Sequence, residues 1–103
     1  MHPPVLLLIS ADPQARLLLE QALDRRAKIL AATTTEEALH ILKDQADLLL
    51  VVCDESQGRI ASQVILSRAS RIAQSLPVII LGTDGSAKAA VEALHRGATD
   101  YLA

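Results

Sequence analysis

The chain has no tryptophan and no phenylalanine, and Tyr101 is its only aromatic residue. Its core must therefore come from Leu, Ile, Val and Ala, which favours thin, closely packed layers of strand and helix. A single cysteine, Cys53, excludes an internal disulfide. Flanked by "LLLVV", it reads as a small core thiol. No apolar run approaches the roughly 18 residues that a membrane-spanning helix needs. The opening "MHPPV" lacks the anatomy of a signal peptide. A soluble, cytoplasmic protein away from membranes is expected. Neither sign of charge dominates: ten basic residues stand against twelve acidic ones. With no basic run and no aromatic–basic stripe, direct nucleic-acid contact is not expected. Arg25, Arg26 and Lys28 form the densest basic cluster, where a helix should end, and the helix dipole accounts for them. His2, His40 and His95 are scattered without metal-ligand spacing. There is no nucleophile–base pair, glycine-rich phosphate cradle or zinc motif, so the chain is not expected to be an enzyme.

What is present is an alternation of short apolar runs with helical periodicity. Val5–Ile9 is apolar throughout, as in a strand buried on both faces. Asp12–Pro13 then starts a helix, a capping carboxylate followed by proline at the first helical position. Leu18 with Ala22, and Leu19 with Leu23, repeat at helical spacing. A short strand over Ile29–Ala32 is followed by "TTTEEALHILKD", in which Thr34 and Glu37 make a capping box. Leu48–Cys53 reads as a third strand and "DESQGR" as a turn-rich break. A third helix is expected from Ile60 to about Gln74, with Val64, Ile65, Leu66, Ala69, Ile72 and Ala73 inward. "VIIL" after Pro77 is a fourth strand. Ser86–Arg96 is a fourth helix, closed by Gly97 in a left-handed cap. "TDYLA" opens a fifth strand. Such alternation with short loops implies an α/β fold: a doubly wound, five-stranded parallel sheet with helices on both faces. Sites in such sheets lie beyond the carboxyl ends of the strands, at the switch point in strand order. The candidate loops hold Ser10, Ala11 and Asp12; Asp54 and Glu55; and Gly82, Thr83 and Asp84.

These segments resemble a response-regulator receiver domain of two-component signalling over almost the whole chain. "LLLISADPQARLLLEQAL" is similar to the family's first strand, acidic loop and first helix. "TTTEEALHIL" and "LPVIIL" resemble its second helix and fourth strand. "AVEALHRGATDYLA" resembles the end of its fourth helix and its fifth strand and is the most specific stretch. The resemblance implies a flavodoxin-like strand order 2-1-3-4-5. It also implies phosphoryl transfer from a histidine kinase to an aspartate after the third strand. Two acidic residues after the first strand would hold Mg²⁺. A hydroxyl and a lysine would contact the phosphoryl group, and an aromatic in the fifth strand would report the switch. The physical need is plain, because an aspartate accepts a phosphoryl group only when the incoming charge is neutralised by a hard cation and fixed donors.

The chain departs from that pattern. The acidic positions fall on Ser10 and Ala11, with Asp12 as the third acidic residue, which also caps the helix. The hydroxyl position falls on Gly82, one residue before Thr83; a shifted loop would bring Thr83 into its place, and Gly82 would add backbone freedom. Asp54 is the phosphoacceptor candidate, although a gapless count puts Val52 there. Asp12 and Asp54, with Glu55 as a substitute ligand, are the metal candidates, and the Mg²⁺ site is expected to be weak or absent. Tyr101 falls on the switch aromatic; a packing role with its hydroxyl in water stands equally. The expected family lysine would follow Ala103, and the fifth helix would follow in turn. Residues 1–103 thus read as one receiver-like domain, truncated before its final helix. An uncovered apolar sheet face should then drive a homodimer or a helix-exchanged assembly. The first expectation for function is an atypical pseudo-receiver. It would act by protein–protein contact, independently of phosphorylation, through the surface of the fourth helix, the fifth strand and their joining loop. It would regulate an attached or partner output domain, for instance in transcription. The alternative is a phosphoacceptor receiver, phosphorylated on Asp54 by a histidine kinase with Mg²⁺.

Overall fold

The computed structural model describes residues 3–56, 58–72 and 76–103. Nine elements alternate along it: β1 (Val5–Ile9), α1 (Pro13–Leu23), β2 (Lys28–Ala32), α2 (Thr35–Asp44), β3 (Leu48–Asp54), α3 (Ser62–Ile72), β4 (Val78–Leu81), α4 (Ala87–His95) and β5 (Asp100–Leu102). The strands form one sheet in the order β2-β1-β3-β4-β5, and every pairing is parallel. The doubly wound sheet expected from the alternation is thus present, with four helices. None of them is long and apolar enough to cross a membrane. The order reverses between β1 and β3, so the loops after these two strands lie side by side.

β1 is buried over its whole length because it is central and covered on both faces. Leu7 and Ile9 point into the larger cluster, with Val51, Cys53, Ile80, Leu42 and Ile65 beneath α2 and α3. Leu8 joins Ile29 and Val52 on the other face, against Ala15, Leu19 and Leu23 of α1. Cys53 is fully buried, and burial, reinforced by the charges of Glu55 and Asp54, pushes its thiol up to about 12. It is the core thiol that its flanks suggest.

The caps at Asp12 and Thr34 follow their sequence signals, while Ser86, expected as the first residue of the fourth helix, caps it from outside. Asp12 accepts from the Gln14 N–H at α1, and Ser86 accepts from the Ala89 N–H at α4. At α2, Thr34 accepts from the Glu37 N–H. Glu37 reaches back to the N–H and hydroxyl of Thr33, one residue earlier than the usual box. Gly97 has φ 107°, a region that favours glycine, as expected of the residue closing α4.

Several details differ from the periodicity. Of the two leucine stripes on α1, only Leu19 and Leu23 pack; Leu18 is 63% exposed and Ala22 is also exposed. One helix on a flat sheet buries a narrow stripe, and spacing alone cannot say which. On α3 the inward residues are Ile65, Leu66 and Ala69, while Val64 and Ile72 are exposed. Ala73 and Gln74, expected at its end, lie outside the described residues. α3 starts at Ser62 rather than Ile60, where the Ala61 N–H donates to the Thr35 hydroxyl and ties α3 to α2. Arg25, Arg26 and Lys28 do not sit in the last turn of α1. That helix closes on Asp24, which like Arg25 is left-handed, and Lys28 already belongs to β2. A dipole effect fades beyond the last turn, so these residues are simply solvated.

Two leucines with the same helical setting in sequence should separate in a stability series. Leu42→Ala, at a site 1% exposed, is expected to cost about 2–5 kcal/mol. Leu17→Ala, at a site 57% exposed, should stay within about 0.5 kcal/mol. Urea denaturation measures both, and equal losses would contradict the assigned faces.

Candidate functional site

The site lies where β1 and β3 end together. Ile9 pairs with Cys53, so the next residues, Ser10 and Asp54, stand side by side. The Ser10 hydroxyl donates to Asp54 Oδ2 at 2.7 Å. Ser10 Oγ in turn accepts from the Asp12 N–H at 3.1 Å. The other carboxylate oxygen, Asp54 Oδ1, accepts from the Ser56 N–H at 3.0 Å and the Ser56 hydroxyl at 2.5 Å. Both oxygens of Asp54 are therefore engaged by neutral donors. Burial pushes this carboxyl up, but the hydrogen bonds from the Ser56 hydroxyl, the Ser10 hydroxyl and the Ser56 N–H outweigh it. The net effect holds Asp54 below the ordinary carboxylate range.

Val52, the residue of the gapless count, is buried on the α1 face and takes no part. β3 carries an irregularity where Leu48 pairs with Val5 and Leu50 with Leu6, leaving Leu49 as an extra residue. An unbroken count along the chain does not foresee it. The other candidates are dispersed. Asp12 spends Oδ1 on the Gln14 N–H, as a helix cap. Ala11 brings no polar side-chain atom. Glu55 accepts from the Ser62 hydroxyl at 2.5 Å and faces a groove between α3 and α4. Thr83 is exposed and lines the same region with Asp84 and Arg96. Among the described residues, no group of three or more His, Cys, Asp and Glu comes together.

A hard divalent cation takes about six oxygens and leans on carboxylates for charge. Here one carboxylate faces a serine hydroxyl, and that hydroxyl already donates its proton to it. Among the described residues, a single carboxylate meets hydroxyl oxygens at this point.

Gly82 and Tyr101 meet on the far side. β4 pairs with β5 so that Ile80 stands opposite Tyr101, and the Gly82 N–H donates to the Leu102 carbonyl at 2.8 Å. The Tyr101 ring is half-buried over Gly82, and its hydroxyl donates to the Asp84 carbonyl at 2.8 Å. The hydroxyl is thus held by the β4–α4 loop. Gly82 is needed there for room, not for backbone freedom, since its φ lies outside the left-handed region.

The sequence reading did not assign a role to Ser56 or to the Asp84 carbonyl. Asp-x-Ser at Asp54 and Ser56 is a known local turn pattern and is a usable signal for the first. The second had none, since any residue supplies a carbonyl.

No family model matches the chain, and no curated protein does. Solved structures do. A response regulator in red light signaling of R. palustris superposes with a TM-score of 0.82 at 23% identity, covering 96% of this chain and 79% of that one. A response regulator from Thermotoga maritima gives 0.83 at 20% identity, covering 98% and 84%. One from Burkholderia pseudomallei gives 0.82 at 21% identity, covering 96% and 58%. That structure carries a phosphorylated aspartic acid and a calcium ion.

The fold is that of a response regulator receiver domain.

The receiver fold thus sets the strand ends around Ser10, Asp54 and Gly82, while the side chains there are this chain's own.

The Asp54 geometry makes a pH prediction. A carboxyl held below its ordinary value of 3.8 contributes stability that is present above that pH and is lost as pH falls through the folded value. Ser10→Ala removes a hydrogen bond and keeps the burial, so the Asp54 carboxyl should titrate higher and the acid-side loss of stability should shrink. Carboxyl-carbon NMR of Asp54 with denaturation at several pH values checks this; an unmoved titration in Ser10→Ala would refute it.

Proposed function

We propose that this is a cytoplasmic signalling domain of the two-component type that works by protein–protein contact rather than by phosphoryl transfer. The observation that carries the reading is the Ser10–Asp54 hydrogen bond, in place of a carboxylate pair around a metal. A donor set of hydroxyls and N–H groups satisfies Asp54 as it stands and supplies no positive charge for an incoming phosphoryl group. Mg²⁺ binding is weak or absent in this reading. The contact surface is the one formed by α4 and β5. The inner side of α4 is made of small residues, Ala89 and Ala93, which line the groove with Tyr101. Val91 and Leu94, three apart on the helix, are about half exposed. Its partner is an attached or separate output domain, with control of transcription as one outcome.

A second reading keeps Asp54 as phosphoacceptor, with a histidine kinase as donor. What favours it is that Asp54 stays ionised at a strand end, as the phosphorylated aspartic acid of the Burkholderia pseudomallei neighbour invites. In that step an Asp54 oxygen would attack phosphorus, and the donor's leaving group would depart with the bonding pair. Intact mass after treatment with a small acyl-phosphate donor and Mg²⁺ decides between the two. No adduct is expected from the folded chain; an adduct absent in Asp54→Ala would establish the second reading.

The third element of the proposal is self-association of the 103-residue domain. α1 is the one helix on its face of the sheet among the described residues. Arg16 and Glu20 pair on its β2 side. Leu18 and Ala22 fall on the opposite flank by helical rotation, towards Leu50, Leu81 and Leu102. Leu102 is 50% exposed. A mass by light scattering that rises with concentration is expected, and Leu18→Glu with Leu102→Glu should return it to one chain. A concentration-independent monomer of the unsubstituted chain would remove this element.

A further inference from the structure

We propose that Gly82 and Tyr101 form a latch that fixes the α4–β5 face in one state, whatever happens at Asp54. The proposal deepens the contact-surface reading and rests on it for its biological meaning, but its geometry is independent of it.

A Cβ added to Gly82 would lie 2.6 Å from Tyr101 Cζ and 2.8 Å from Cε2, and against the hydroxyl as well. Distances under 3.0 Å are essentially never seen for a real Cβ, so any other residue at 82 would displace the ring or the loop. The ring is also held at its ends. Its backbone belongs to the β4–β5 ladder opposite Ile80, and its hydroxyl donates to the Asp84 carbonyl two residues beyond Gly82. The body of the ring packs against the larger core cluster. One aromatic side chain therefore pins β5 to the β4–α4 loop and sets the shape of the groove that it lines with Asp84, Ala93 and Arg96. A side chain at 82 would force Tyr101 out towards solvent and change that surface. The state of the ring is thus decided by the absence of one Cβ and needs no charge on Asp54 to be reached.

The chain makes the test clean, because Tyr101 is its only aromatic residue and every near-ultraviolet tyrosine signal comes from it. The unsubstituted domain should show a fixed near-ultraviolet circular dichroism band and shielding from acrylamide. Both should be unchanged by Mg²⁺ with a small acyl-phosphate donor. Gly82→Ala should lose most of the band and become as quenchable as an exposed tyrosine, with the far-ultraviolet spectrum retained. A cycle guards against a variant that does not fold: in a Tyr101→Ala background, Gly82→Ala should no longer lower the denaturation midpoint. An unchanged band in Gly82→Ala, or an equal loss of midpoint in both backgrounds, overturns the latch. A band that shifts with the phosphoryl donor overturns it too. A phosphoryl adduct on Asp54 with an unmoved band would instead sink the contact-only function and leave the latch standing.

Discussion

The central strand has to be apolar on both faces, and the rest of the structure depends on that constraint. β1 lies between β2 and β3 with helices over each side, so Leu6, Leu7, Leu8 and Ile9 are all withdrawn from water. Burial of this kind contributes about 1.5–3 kcal/mol for each large aliphatic side chain, and it leaves no latitude for register. The register then places Ser10 beside Asp54. A polar pair forms there because both strands leave the apolar layer at the same level.

The same sheet has two unequal faces. α2 and α3, with part of α4, close one of them over a continuous cluster. Among the described residues, α1 is the helix that closes the other, over a smaller cluster. With almost no aromatic residues, the layers are filled by Leu, Ile, Val and Ala, and there is little bulk to spare at the edges. Exposed leucines, valines and isoleucine are spread over α1, β3, α3, α4 and β5. At the strand ends, the carboxylate of Asp54 is satisfied by Ser10 and Ser56.

A few side chains set the chemistry of the site. At the ends of β1 and β3 a hydroxyl donates to Asp54 and steadies its charge. A carboxylate held by neutral donors is stable and ionised, but attracts a cation less than two carboxylates do. Just after β4, the absence of a side chain at Gly82 makes room for the one aromatic ring.

The sequence by itself determined the order and kind of the elements. Strands buried on both faces are continuously apolar, and capping residues such as Asp12, Thr34 and Ser86 act through their immediate neighbours. Local chemistry of that kind is written in consecutive residues. It also singled out Ser10, Asp54, Gly82 and Tyr101 as residues of interest. Only the tertiary structure decided which stripe of α1 packs, since Leu18 and Leu19 are equivalent until a sheet is laid against one of them. It alone showed that β3 has an extra residue at Leu49, that Asp54 binds Ser10 and Ser56, and that Gly82 is a space and not a hinge. Each of these depends on atoms far apart in the chain, brought within a few ångströms by strand pairing, and no spacing along the sequence encodes that distance.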